Sequence, residues 1–251
     1  MQLDIGMVFS SLIGLFLLMG VGWVSVKTKI VPPSASAPMS SLLLKVTLPC
    51  TIFSSLATRE FDSAFLVDGV IIIVIGLVLF PLYAALSWGI SKVLKVPAGR
   101  RGIWSFGATF CNNGFMGFPV ALALFGEEGL ALAVMFGVPF NLLVYTLGVR
   151  MVCADCGTDA QPVNLVRTLL SNINIALILS LIFYVGQIPL PEALMTPVTH
   201  LSNVTTPLSM FVTGMTLASG KGTELFRDKD AYTATGMRLI VVPLLTWAVM
   251  S

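Results

Sequence analysis

The sequence predicts an all-α, polytopic membrane protein that has the lipid bilayer as a partner along most of its length. Two facts of composition and one of pattern predict it. Apolar residues make up 56% of the 251 positions and charged residues 10%, whereas a soluble domain carries about 25% charged residues. The chain owns too little charge to cover a water-facing surface. Its apolar residues also gather into long runs with short polar or Pro/Gly-rich punctuation between them. The formal net charge of +2 comes with no basic cluster and no acidic tail, which argues against nucleic acid as a partner.

A bilayer-spanning helix needs about 20 mostly apolar residues. Eight stretches qualify: roughly 5–26, 41–58, 64–91, 102–125, 129–151, 168–187, 198–219 and 233–250. The first is read as a retained span, because Met1 to Asp4 is acidic and no small-residue cleavage site follows. Val31-Pro32-Pro33, Arg59-Glu60 and Pro97 to Arg101 close the first three runs. Gly126-Glu127-Glu128-Gly129 divides the fourth from the fifth. Asp155 to Pro162, Pro189-Leu190-Pro191 and Gly220 to Asp230 divide the rest. Cys153-Ala-Asp-Cys156 lies in one of these loops; a metal site needs more ligands than that pair supplies, and no metal or cofactor is predicted.

Lys and Arg favour the cytoplasmic side of a membrane. With the N-terminus outside, eleven of the 14 basic residues fall in inner loops, one (Arg59) falls in an outer loop, and Lys45 and Arg238 lie within spans. The orientation predicted is therefore N-terminus out, with the chain multi-pass in a cell membrane, the bacterial inner membrane being expected.

Residues 30–53 align without gaps on 188–211, an offset of 158, with eight identities in 24 positions. The shared core is Val-Thr-x-Pro-x-x-x-Phe, at Val46 to Phe53 and Val204 to Phe211. Five spans separate the two starts, so the second copy enters from the opposite face. Inverted repeats of this kind build many secondary transporters. The expected division is a first five-span repeat over 1–158 and a second repeat over 159–251 that holds spans six to eight. Ser251 corresponds to Val93 (251 − 158 = 93), just after the third span. Eight of ten spans are thus expected here, with two more beyond; an eight-span protein with a degenerate second half is the alternative.

Span four reads Gly107-Ala-Thr-Phe-Cys-Asn112-Asn113-Gly114-Phe-Met-Gly117-Phe-Pro119. Pro119 removes a backbone donor and clashes with the preceding turn, and the glycines weaken the helix further. Broken backbone at membrane depth is tolerated only where protein or a water-filled cavity satisfies the freed groups. The prediction is two half-helices meeting near the midplane, the second beginning near Pro119. Its free N–H groups and positive dipole end would face an anion, with Asn112, Asn113 and Gly114 beside it. A kinked helix with asparagines as interhelical glue is the plainer reading. Thr47 and Pro49, their repeat mates Thr205 and Pro207, and Asn141 after Pro139 are candidates to line the same cavity. Arg238 could serve as a charge partner for an anion or could snorkel to the inner face. Lys45, Asp68 and His200 are weaker candidates near span ends.

The span-four residues Asn112-Asn113-Gly114-Phe115-Met116-Gly117-Phe118-Pro119 resemble the Asn-x-Gly-Phe-x-Gly-x-Pro signature of the auxin efflux carrier family. Leu43 to Phe53, Phe140 to Gly148 and Thr205 to Leu217 are similar to it as well, so the resemblance covers nearly the whole chain. The resemblance implies ten spans in two inverted repeats, with broken spans four and nine crossing beside the substrate. It also implies an elevator-like or rocking movement of that unit against spans one, two, six and seven. Asn172-Ile173 departs from the Asn-Pro that often opens span six. The short loop between spans five and six is similar to prokaryotic relatives, which resemble malate and malonate carriers. The function implied is a carrier for small organic anions such as dicarboxylates, with coupling ion unspecified and a homodimer allowed. The alternatives are a sodium- or proton-coupled carrier of the related bile-acid class, or an inactive fragment. An enzyme is not expected, since no HExxH or GxSxG stretch is present and the chain has one histidine.

Overall fold

A computed structural model describes residues 5–156, 171–220 and 228–250. Every regular element among them is helical. They are α1 (Ile5–Lys27), α2 (Ser36–Leu42), α3 (Leu48–Ala57), α4 (Ser63–Val93), α5 (Arg101–Thr109), α6 (Phe118–Leu143), α7 (Val149–Cys156), α8 (Asn172–Gly186), α9 (Glu192–Ser219), α10 (Lys229–Gly236) and α11 (Val242–Met250). Four helical stretches are long and apolar enough to cross a bilayer: Phe9–Lys27, Pro33–Ala57, Ser63–Val93 and Ala98–Ala154. The last contains two of the predicted spans. Gly126 divides them inside α6, with φ 65° and ψ −159°, a backbone conformation open to glycine and strained for other residues. The helix α8 is apolar but shorter. The helix α9 is long enough, yet nine of its 28 residues are Ser or Thr. Several of these hydroxyls bond the preceding turn of their own helix, as Thr213 does to the Ser209 carbonyl at 2.7 Å.

The outward faces confirm the solvent. Val67, Val70, Val74 and Val78 recur at helical spacing on α4, and each is more than half exposed. Such a stripe is unsustainable in water and ordinary in lipid.

Four turns are wound as π-helix: Leu43–Thr47, Asn113–Gly117, Val144–Gly148 and Met237–Val241. Pro49, Pro119 and Pro243 stand two residues beyond the first, second and fourth of them. Proline supplies no N–H to the carbonyl four residues back and its ring crowds that carbonyl. Widening the turn by one residue relieves the crowding and gives the neighbouring carbonyls donors one position later.

The chain folds into two compact units that draw on separated segments. The first takes residues up to Gly69, Asn112–Met135 and the described residues of 170–222. In it α1 and α9 pack backbone to backbone. A Cβ on Gly22 would stand 2.1 Å from the Phe211 carbonyl oxygen, and one on Gly214 would stand 1.9 Å from that of Met19. Small residues permit such close crossings in membranes. The helix α8 packs on α3, and its fully buried Tyr184 donates to the Asp62 carbonyl and accepts from the Asp62 N–H, both at 2.9 Å. The second unit takes Val70–Cys111, the described residues of 136–169 and those after 223. Its core is aromatic: Phe80 stacks on Phe110 at 5.7 Å between centroids and meets Phe140 edge-on at 5.6 Å. Such pairs add to the stabilisation that burial alone supplies.

Candidate functional site at the broken span

The predicted break is present and lies earlier than Pro119. The helix α5 ends at Thr109; Phe110 is extended, with φ −101° and ψ 132°. Asn112, at φ −76° and ψ 73°, precedes a second half-helix that begins at Asn113 and runs to Gly126. The start moves forward because Asn112 supplies its own cap. Its Oδ1 accepts the Phe115 N–H at 3.1 Å, and its carbonyl accepts from Met116 at 3.3 Å and Gly117 at 3.2 Å. Asparagine is among the strongest N-caps for this reason. The N–H groups of Asn113 and Gly114 stand ahead of the first intrahelical acceptor, as at any helix start. Pro119 sits one turn inside, fully buried, where it sets the π-turn rather than the break.

The candidate residues divide between the two units. In the first, Asn112 is exposed and Asn113 half-buried. Asn113 lies along its own helix over Gly117, where a Cβ would come within 2.8 Å of its Oδ1. Gly114 faces Leu48, with room for a methyl at 3.5 Å. Thr47 is buried and donates to the Leu43 carbonyl at 3.4 Å; Pro49 is half-buried. Thr205 is buried and Pro207 exposed. In the second unit Asn141 is half-buried on α6. Arg238 is half-buried in the Met237–Val241 turn and donates through Nη1 toward the carbonyls of Gly107 at 3.4 Å and Phe110 at 3.5 Å. It therefore rests on the negative C-terminal end of α5, a favourable place for a cation. Lys45, Asp68 and His200 are exposed.

Thr205 and Pro119 share the wall of a cavity of about 340 Å³ in the first unit, between α3, α9 and the start of α6. A hydroxyl chain that the sequence reading did not single out runs along it. Ser54 donates to Ser202 at 3.1 Å, Ser202 to Thr51 at 3.3 Å, and Thr51 to Thr205 at 2.7 Å. The available signal was periodicity: Thr47, Thr51, Ser54 and Thr58 fall at i, i+4, i+7 and i+11, one face of a helix. Glu127 is the charged residue on this wall. Thr47, Pro49, Asn112, Asn113 and Gly114 lie outside it.

An all-helical, lipid-facing chain with a helix broken at two asparagines has the makings of a membrane transport protein. The sequence matches the membrane transport protein family over residues 7–158 and 158–251, and the chain belongs to that family, of the auxin efflux carrier type. It is 26% identical over 212 residues to a protein of Methanothermobacter thermautotrophicus described as an uncharacterized transporter, covering 84% of this chain and 67% of that one. A second protein so described, from Methanocaldococcus jannaschii, is 27% identical over 208 residues, covering 80% of this chain and 66% of that one. The chain thus spans about two thirds of the length of these relatives.

Proposed function

We propose that this chain forms part of a secondary carrier for small organic anions such as dicarboxylates, working by alternating access around the broken fourth span. One observation supports this above the others: the interruption at Phe110–Asn112 with a capped half-helix starting directly after it. The positive end of that half-helix and the amide of Asn112 favour a carboxylate without a buried permanent cation. Within the second unit, Arg238 donates toward the last carbonyls of α5, where a cation offsets the negative end of that helix.

The test is uptake of labelled malate, malonate and related dicarboxylates by the native protein in liposomes. The Asn112→Ala, Asn113→Ala double variant should reduce uptake at least about tenfold, the loss of roughly 1.4 kcal/mol of binding. Uptake equal to wild type would overturn the assignment. A cation-coupled variant of this reading is favoured by the hydroxyl-lined cavity with its glutamate, whose chemistry does not suit an anion.

A further inference from the structure

We infer that the cavity between α3, α9 and the start of α6 is a binding site for one monovalent metal cation, held by neutral oxygens with Glu127 as its counter-charge. The wall offers hydroxyls, the Asn203 amide and one carboxylate, and no Lys, Arg or His. Hard cations select such oxygen donors, and Glu127, the charged residue of this wall, would repel an anion. The charge count points to the valence: a dedicated Ca²⁺ site gathers several carboxylates, while a single carboxylate among neutral oxygens balances one positive charge.

The cation that neighbours this wall in sequence is engaged elsewhere. Arg59, close to the wall residue Thr58, reaches Glu128 at 3.5 Å and lies 4.0 Å over the Phe65 ring. Among the described residues none pairs with Glu127. The oxygens are also held in place. Thr51 and Thr205 are buried and bonded to each other at 2.7 Å, and Thr51 also reaches the Ser202 carbonyl at 3.3 Å. Pro207 leaves one more oxygen short of a helical donor: it has no N–H to give the carbonyl of Asn203, a residue of this wall four positions earlier. The volume of about 340 Å³ admits on the order of ten waters at about 30 Å³ each, so the ion can enter partly hydrated.

Pro119 and Phe118 in this wall belong to the half-helix that starts at Asn113. A cation here would bias the position of the helix that is proposed to meet the anion; that consequence, unlike the site itself, rests on the carrier reading. The test therefore leaves the anion out. Thermal unfolding of the purified native protein in detergent is followed against NaCl, KCl and choline chloride at constant ionic strength. Saturable stabilisation by Na⁺ or K⁺ and none by choline is the expected result. Glu127→Gln should raise the half-saturating concentration at least tenfold, and Thr205→Val should do the same while Thr205→Ser restores it. Glu128→Gln should leave it unchanged. Equal stabilisation by choline, preference for a divalent ion, or wild-type saturation in Glu127→Gln would each overturn the site. Such a failure leaves the anion-uptake test standing, and loss of uptake in the asparagine variant leaves this test standing.

Discussion

Leu43 to Phe53 and Leu201 to Phe211 are copies of one motif, yet the structure treats their prolines differently. Before Pro49 the helix opens into the π-turn Leu43–Thr47. Before Pro207 the helix α9 continues as α-helix. The shared threonine follows suit: Thr47 and Thr205 each reach back along their own helix, at 3.4 and 3.5 Å, and Thr205 in addition takes the Thr51 hydroxyl at 2.7 Å. The surroundings decide. The second copy is held on both sides of its proline, by Ser202 and Thr205 against α3 and by Phe211 and Gly214 against the backbone of α1. A turn restrained at both ends has no room for an extra residue. In the first copy the side-chain bonds to α9 come from Thr51 and Ser54, beyond Pro49, and the turn before that proline can widen. A shared sequence thus specifies where strain arises, and packing specifies how it is relieved.

The largest test removes the restraint on the second copy. In Gly214→Ala the new methyl would lie 1.9 Å from the Met19 carbonyl oxygen, and in Gly22→Ala 2.1 Å from that of Phe211. Both neighbours are backbone and cannot rotate away, so α1 and α9 must separate. Overpacking of this kind costs about 1–3 kcal/mol, sometimes more. Each variant should lose most of its monodisperse peak in size-exclusion chromatography. Gly14→Ala and Gly20→Ala, with nothing within 4 Å, should match wild type. If Gly214→Ala behaves like Gly20→Ala, the restraint does not exist and the comparison fails.

A smaller effect separates the two threonines directly. Thr205→Val removes the short bond of Thr51 and leaves that hydroxyl the longer contacts to the Thr47 and Ser202 carbonyls at 3.2 and 3.3 Å, at a cost of about 0.6–1.7 kcal/mol for an interhelical hydrogen bond in a membrane protein. Thr47→Val deletes a long bond of 3.4 Å within one helix and should cost less, about a few tenths of a kcal/mol. Detergent unfolding midpoints measure both. Equal losses would mean that the two copies are energetically alike despite their geometry.

These contrasts mark what a single sequence reveals. The break in span four was legible, because two amides, two glycines and a proline in an apolar run leave no regular helix. Its position was not: Pro119 draws attention, while the cap of Asn112 decides where the half-helix starts. The division at Gly126 was legible from its flanking glutamates. Gly22 and Gly214 could not be told from Gly14 and Gly20, since the difference lies in which carbonyl another helix brings near. The pairing of Thr51 with Thr205 spans 154 positions and exists only once α3 and α9 are known to pack. Periodicity placed the hydroxyls on one face but not against one another.

The smallest effect concerns the third proline-linked π-turn, Met237–Val241, which continues α10. The start of α10 is tied down outside the membrane: Arg100 pairs with Asp228 and reaches Asp230 at 3.1 Å, and Asp228 also caps the helix by accepting the Asp230 N–H at 3.0 Å. The hydrogen bond from Arg100 above all, then that from the Asp230 backbone, holds the Asp228 carboxyl below its usual range. A carboxyl lowered in the folded state contributes stability at pH values above its unfolded value of about 3.9. That contribution is lost as pH falls through the lower, folded value. The pair is exposed, so screening by solvent and salt keeps the effect small. Asp228→Asn retains a capping side chain and deletes the charge. It should lower the unfolding midpoint at pH 7 by less than Thr205→Val does. The deficit should shrink in high salt and disappear once acid has protonated Asp228 in the wild type. A deficit that persists under acid would assign the effect to the cap instead, and the anchoring of this π-turn would then owe nothing to the ion pair.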